Sequence, residues 1–232
     1  MDNIVYQINP IGYISSCFKE KFGIPRQPLL APAATGVIEL LPPYNKAEAL
    51  EGLEKVSHLW LLFIFNQSMD EKVRLKVRPP RLGGNKSLGV FATRSNFRPN
   101  NIGQSLVRLD DIIDNKLYVS GIDLLDETPI IDIKPYIPYA DSINDAYNLI
   151  AETAPRTINV TWSALALEQA LLHSARLQHP IKQLIEQCLM QDPKPAYQKA
   201  TPDKHYGMKL WDIDVKWHYP HENLIEVLII SY

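Results

Sequence analysis

Leu59–Phe65 reads LWLLFIF, an unbroken apolar run flanked by His58 and Asn66. It is the longest apolar run in the chain and far too short to cross a bilayer as a helix. A run of this length with aromatic residues and no polar break predicts a strand buried on both faces. Other short apolar stretches surround it: Ile4–Ile8, Gly12–Ser15, Val37–Leu41, Val90–Thr93, Gln104–Leu109, Leu117–Leu125 and Ile130–Ile133. Turn signals separate them at irregular spacing. One helix interrupts the series, with Asn45 and Glu48 as a capping pair and Gly52 as its stop. Many short strands and few helices predict a mainly β fold, a closed or nearly closed barrel.

Beyond about Ala154 the pattern changes. Ser163 is placed to cap a helix running to Gln178, and Pro180 to open a second. In that second helix Ile181, Leu184, Ile185, Cys188 and Leu189 fall on one face. Trp211, Ile213, Val215 and Trp217 then alternate with polar residues, as in a half-buried strand, and Leu224–Ile230 reads as a last strand. The polar stretch Asp141–Pro155 serves as a linker. The expected organisation is a β-barrel domain over residues 1–145 and a small α+β appendage over residues 155–232.

The segment Arg78–Gly103, RPPRLGGNKSLGVFATRSNFRPNNIG, cannot build a core. Its glycines admit close backbone approach to a ligand, its prolines fix the chain, and its arginines and asparagines supply donors. Nine bases and no acid lie between Glu71 and Asp110; setting those nine aside leaves −11 on a chain whose formal charge is −2. A basic patch on an acidic body points to a polyanionic partner. Two widely separated cysteines, Cys17 and Cys188, argue against a disulfide framework and a zinc site, and the six histidines lack ligand spacing. The opening residues MDNIVYQINP lack the features of a secretory signal, so a cytoplasmic protein is expected. Neither GxGxxG nor a phosphate-binding Walker sequence is present.

Several strings together carry a resemblance. Ile24–Pro25–Arg26–Gln27–Pro28, Arg78–Asn85, Gly89–Asn100 and Asp126–Tyr136 resemble the TsaA-like family. Gln191–Lys199, QDPKPAYQK, followed by Trp211 to Trp217, is similar to the bacterial branch called TrmO. The resemblance implies a single-sheeted β-barrel and a homodimer. It also implies S-adenosylmethionine-dependent methylation of tRNA, on N6 of N6-threonylcarbamoyladenosine at position 37, beside the anticodon of threonine tRNAs. It implies cofactor contacts from Pro25, Arg26, Gln27, Asn66, Gln67, Arg94, Leu106, Asp123, Leu124, Leu125 and Asp126, with no metal. Asn66, Asn101 and Glu127 depart from the family's usual histidine, proline and glycine.

Methyl transfer from a sulfonium needs alignment more than covalent help. Asp126 and Asp132 are the candidate proton acceptors, with structural hydrogen bonding as the other reading of both. Arg78, Arg81, Lys86 and Arg98 are the expected phosphate contacts. Lys194 and Tyr197 of the appendage are expected on the anticodon stem-loop, with Tyr197 or Tyr136 stacking on an unpaired base. Two other readings use the same residues: a non-catalytic RNA-binding module, and a methyltransferase for a small anionic molecule.

Overall fold

The computed structural model describes residues 6–69, 72–79, 86–194 and 198–232. Six antiparallel strands close a barrel: β1 (Gly12–Ser16), β2 (Thr35–Leu40), β3 (His58–Ile64), β6 (Ile102–Ile113), β7 (Lys116–Ser120) and β8 (Thr128–Pro135). Their order around the barrel is β1-β2-β7-β6-β3-β8, and β8 pairs with β1 to complete the ring. Closure leaves no free edge to template aggregation. Between β3 and β6 the described residues form the short ribbon β4 (Lys76–Val77) and β5 (Leu88–Gly89) and three 3-10 turns. The β6–β7 hairpin turns at Asp114–Asn115, both with positive φ (51° and 60°), the geometry that Asn and Asp tolerate best.

β3 alternates. Leu59, Leu61 and Phe63 point into the barrel and are buried, whereas His58, Trp60, Leu62 and Ile64 lie half-buried on the outside. The expectation of burial on both faces is therefore corrected; the outer face of this apolar strand is the floor of a cleft. Inside, Leu59 and Leu61 pack with Ile14, Ile38, Val107, Leu117, Val119 and Ile130. Val90–Ala92, expected as a strand, is a single 3-10 turn. The strand expected over Leu117–Leu125 ends at Ser120, because Gly121 takes a φ of 72° and redirects the chain. Of the strand expected at Ile4–Ile8, residues 6–8 are not in a strand and the rest lie outside the described residues. The first helix, α1, is one turn (Ala47–Leu50) with Lys46 as N-cap and no side-chain cap, so Asn45 and Glu48 do not act as a capping pair.

A short helix α2 (Pro138–Asp141) leads out of the barrel. The C-terminal part is a four-stranded sheet in the order β10 (Tyr206–Leu210), β11 (Ile213–His221), β12 (Leu224–Ser231), β9 (Asn159–Trp162). Only the β12–β9 pair is parallel. Helix α3 (Ala164–Leu177) packs on β12, and helix α4 (Ile181–Leu189) packs on α3, with Ile181, Leu184, Ile185, Cys188 and Leu189 buried. Trp211 stands in the β10–β11 turn with φ 51° and is not part of the strand. Phe18 bridges to Leu210, the Trp211 N–H donates to the Cys17 carbonyl (2.8 Å), and the Phe22 ring stacks on Trp217 at 5.8 Å. These contacts run the two cores into one.

Ser163 caps α3 as its position predicts. Its Oγ accepts from the Ala166 N–H (3.0 Å) and donates to the Leu228 carbonyl (2.8 Å), so one hydroxyl ties helix to sheet. Ser163→Ala is expected to cost about 1–2 kcal/mol, read as a lower urea midpoint with an unchanged m-value.

Candidate active site

A cavity of ≈ 780 Å³ lies where the second half of β3 pairs with the start of β6, lined by outward Trp60, Leu62 and Gln104 and by inward Phe63, Gly103 and Ser105. Four segments bring residues to it: Pro25–Gln27 after β1, the 3-10 turn Asn66–Ser68 after β3, Thr93–Asn96, and Asp123–Leu125 after β7. Hydrogen bonds fix these segments to one another. Arg94 Nη1 donates to Gln27 Oε1 (2.6 Å), Asn96 Nδ2 to Ser68 Oγ (2.6 Å), and Asn101 Nδ2 to the carbonyls of Ser68 (3.3 Å) and Asn96 (3.2 Å). Arg98 Nη1 donates to the Thr93 carbonyl (2.6 Å). Asn100 and Asn101 both take positive φ (64° and 49°), which turns the loop back into β6. Ile24, Phe65, Leu124 and Leu125 supply apolar wall.

Gly103 is required where it stands. A Cβ there would meet Phe63 Cε2 at 2.3 Å and Cζ at 2.4 Å. The Phe63 ring is itself braced edge-on by Phe65 at 5.1 Å. All three residues line the cavity.

The charge is lopsided. Lys21, Arg26, Arg94 and Arg98 line the cavity, and Asp123 is the one acid among its described lining residues. Burial pushes the Asp123 carboxyl up to about 6, partly opposed by the hydrogen bond from Ser105 Oγ (2.6 Å) and by the charge of Arg94. A carboxyl perturbed by burial and facing a charge partner inside a cleft is a candidate functional group.

A second, larger cavity of ≈ 1390 Å³ shares Arg26, Gln27 and Thr93–Asn96 as a common wall. Arg26, Arg74, Lys76, Arg78 and Arg94 line it, with Glu152 as the acid. The far side is formed by residues 148 and 150–155 of the inter-unit segment. Arg26 also reaches the C-terminal unit, where its Nη2 donates to the Asp192 carbonyl (3.0 Å).

Of the cofactor residues expected from resemblance, all but Leu106 and Asp126 line the smaller cavity. Leu106 sits across from Trp60 in register, but of that pair only Trp60 lines the cavity. Asp126 is held away by the Ser16 N–H (2.8 Å) and Lys19 Nζ (2.6 Å). Asp132 pairs with Lys134 (2.7 Å) and accepts from its neighbour Ile133 (2.9 Å), also outside both cavities. The structural reading of these two aspartates is the one their contacts support.

Among the expected RNA contacts, Arg78 lines the larger cavity, Arg98 the smaller, and Lys86 is exposed in neither. Tyr136 packs beside Trp60. The Lys194 side chain is 9% exposed, paired with Asp192 (2.5 Å) and set over the Tyr219 ring, contacts that hold it to the C-terminal core. Arg81 and Tyr197 lie outside the described residues. Trp60, Ser68, Asn96, Gly103 and Ser105 do not stand out in the sequence as site residues; only the glycine at the start of a strand carries a signal, that of close approach.

Among the described residues no helix is long and apolar enough to cross a membrane, and no cluster of three potential metal ligands occurs. Residues 13–142 match the family model described as the tRNA-methyltransferase O N-terminal domain, and residues 155–232 match the TrmO C-terminal domain. A Pseudomonas aeruginosa protein named putative S-adenosylmethionine-dependent methyltransferase RcsF is 62% identical over 228 residues, 98% of this chain and 99% of its own. The tRNA (adenine(37)-N6)-methyltransferase of Escherichia coli K12 is 46% identical over 217 residues, covering 91% of this chain and 92% of its own. A crystal structure of TrmO from Pseudomonas aeruginosa covers 99% of this chain and 100% of its own, with 54% identity and a TM-score of 0.85. With both halves matched in order and the barrel shared with solved relatives, the chain belongs to the TrmO family.

Proposed function

We propose that the protein methylates N6 of N6-threonylcarbamoyladenosine at position 37 of threonine tRNA, using S-adenosylmethionine. One observation carries this reading: a compact cavity whose described lining holds a single carboxylate shares a wall with a larger cavity lined by arginine and lysine. The smaller one fits the cofactor in size and donor chemistry. Asp123 meets a hydroxyl pair or ammonium, Arg94 a carboxylate, Gln27, Asn66 and Gln67 the remaining polar edges, and Leu124 and Leu125 a purine face. When bound, the cofactor supplies a methyl group already activated by its sulfonium.

The chain's own task is alignment. The bonds from Arg94 to Gln27 and from Asn96 to Ser68 hold the shared wall in one geometry, so an acceptor arriving from the basic side meets a fixed frame. The carbamoyl group acidifies the N6 proton, which leaves to water through the open side. Every described lining residue of the smaller cavity comes from the barrel unit, which supports giving residues 1–145 the cofactor and the chemistry, and residues 155–232 a share of the tRNA contact. Homodimer formation is supported by Tyr139 on α2 and by Tyr147 and Leu149 on the segment that walls the larger cavity, apolar or aromatic side chains 91%, 85% and 75% exposed. The cytoplasm, where tRNA resides, is the proposed location.

Labelled methyl transfer into total tRNA from a strain lacking the protein, followed by nucleoside mass spectrometry, tests the reading. Label in the methylated N6-threonylcarbamoyl nucleoside is expected, and its absence overturns the proposal. Arg78→Ala is expected to raise KM for tRNA and to flatten the log–log salt dependence of tRNA binding by about one unit. The cofactor Kd, measured by calorimetry, should be unaltered.

A further inference from the structure

We infer that His58, Trp60 and Tyr136 form a stacking platform for unpaired RNA bases beside the cofactor cavity. The inference rests on the proposed tRNA substrate and adds a second RNA surface, separate from the basic cavity.

His58 and Trp60 are alternate residues on the outer face of β3, and Tyr136 follows β8. The Tyr136 N–H donates to the His58 carbonyl (2.9 Å), which continues the β8 pairing and sets its ring over the β3 pair. The Tyr136 ring lies 6.0 Å from Trp60 at 58° and 6.3 Å from His58 at 65°. Trp60 is pinned: its Nε1–H donates to Asp141 Oδ2 (3.1 Å), and that oxygen also accepts from the Ile137 N–H (2.9 Å). All three rings remain half-buried, unlike Trp217 and Tyr219, which are sealed in the C-terminal core.

Cations border the cluster. Arg108 is the register partner of His58, and Lys134 that of Trp60. The facing acids are Asp110 on Arg108 (3.2 Å), Asp132 on Lys134 (2.7 Å) and Asp141 on the Trp60 indole. Paired in this way, the cations leave stacking rather than net charge as the chief attraction. Trp60 also lines the smaller cavity, so the platform is continuous with the place from which a methyl group would be delivered. The larger basic cavity adjoins another side of that cavity, through the wall of Arg26 and Thr93–Asn96. An RNA loop spanning the cofactor cavity would lay its backbone on the basic side and its other bases on the rings. Every base offers a π-face, and fixed aromatic rings receive it with little loss of side-chain freedom. A paired stem offers no such face along its length.

The test compares an anticodon stem-loop RNA with a blunt duplex of the same stem, on wild type, Tyr136→Leu and Tyr136→Phe. Tyr136→Leu is expected to weaken stem-loop binding about 5- to 50-fold, with the salt slope, duplex binding and cofactor Kd unchanged. Tyr136→Phe should bind as wild type. Ultraviolet crosslinking of wild type to the stem-loop, mapped by mass spectrometry, is independent of any variant's folding and should mark Trp60 or Tyr136. Crosslinks found only elsewhere overturn the platform, as does wild-type affinity in Tyr136→Leu, an equal loss on the duplex, or a loss that tracks the salt slope. Conversion of a wild-type dimer to monomer by Tyr136→Leu would assign the rings to a second copy and also overturn it. If wild type methylates tRNA but the platform tests fail, only this inference falls. If wild type neither binds nor methylates tRNA, the proposed function falls with it.

Discussion

Gly103→Ala should weaken cofactor binding at least tenfold and destabilise the protein by about 1–3 kcal/mol, the range for an extra methyl forced into packed surroundings. The cause is local and severe. The new Cβ would stand 2.3–2.4 Å from two carbons of the Phe63 ring, well inside contact distance. The ring cannot swing freely, since it is 5% exposed and braced by Phe65. Any shift moves the cavity's own wall. Phe63→Leu shortens the obstructing side chain, so the double variant should be less damaged than the sum of the two singles by about 1 kcal/mol or more. Chemical denaturation and calorimetry on the four proteins measure the coupling. Strict additivity would show that Gly103 matters for some reason other than the Phe63 contact.

How far the sequence could be read is clear from particular residues. Local chemistry was legible. Ser163 capped its helix, the spaced apolar residues of α4 all faced inward, and the glycine- and arginine-rich segment lay beside two cavities rather than in a core. Distant pairing was not. Asp126 looked like a free acid near a loop, but its partner Lys19 is 107 residues away and comes close only when β8 closes against β1. Lys194 looked like a loop cation for RNA, yet Asp192 and Tyr219 bury it. Val90–Thr93 has strand-like composition, but its pairing ends at the bond from the Val90 N–H to the Leu75 carbonyl (3.0 Å), after which the Thr93 N–H turns back to the Val90 carbonyl (3.1 Å).

The outer face of β3 shows the same limit more sharply. Apolarity alone does not distinguish a side chain that faces a core from one that faces a ligand. Trp60 and Leu62 were read as core and instead line the cavity. The departure at Glu127 is also explained only by the fold. Its φ is 59°, a conformation in which glycine has no Cβ penalty, and its exposed side chain is not among the lining residues of the smaller cavity. The departure therefore costs backbone strain, and the cavity lining is left intact.

Asp123→Asn is expected to move binding and stability in opposite directions. In the folded, ligand-free protein burial raises the carboxyl to about 6, from an ordinary value of 3.8. A raised acid binds its proton more tightly when folded than when unfolded, so stability falls as pH rises from 3.8 towards 6 and stays lower above it. The ionised carboxylate thus costs the ligand-free protein on the order of 2–3 kcal/mol at pH 8. Asparagine removes that cost while still accepting the Ser105 hydrogen bond, so the variant should be more stable than wild type at pH 8 and lose the advantage near pH 4. Binding runs the other way. The charged form is the one suited to a hydroxyl pair or ammonium, so wild-type cofactor affinity should be flat above about pH 7 and fall up to tenfold per pH unit below 6. Asp123→Asn should bind about 30- to 100-fold more weakly at pH 8, the loss of a charge-assisted contact, with a flat profile across pH 5–8. Calorimetric titration and urea melts at pH 5, 6.5 and 8 supply both sets of values. A variant with wild-type affinity at pH 8, or one destabilised there, would remove Asp123 from the cofactor site and leave it a structural partner of Ser105.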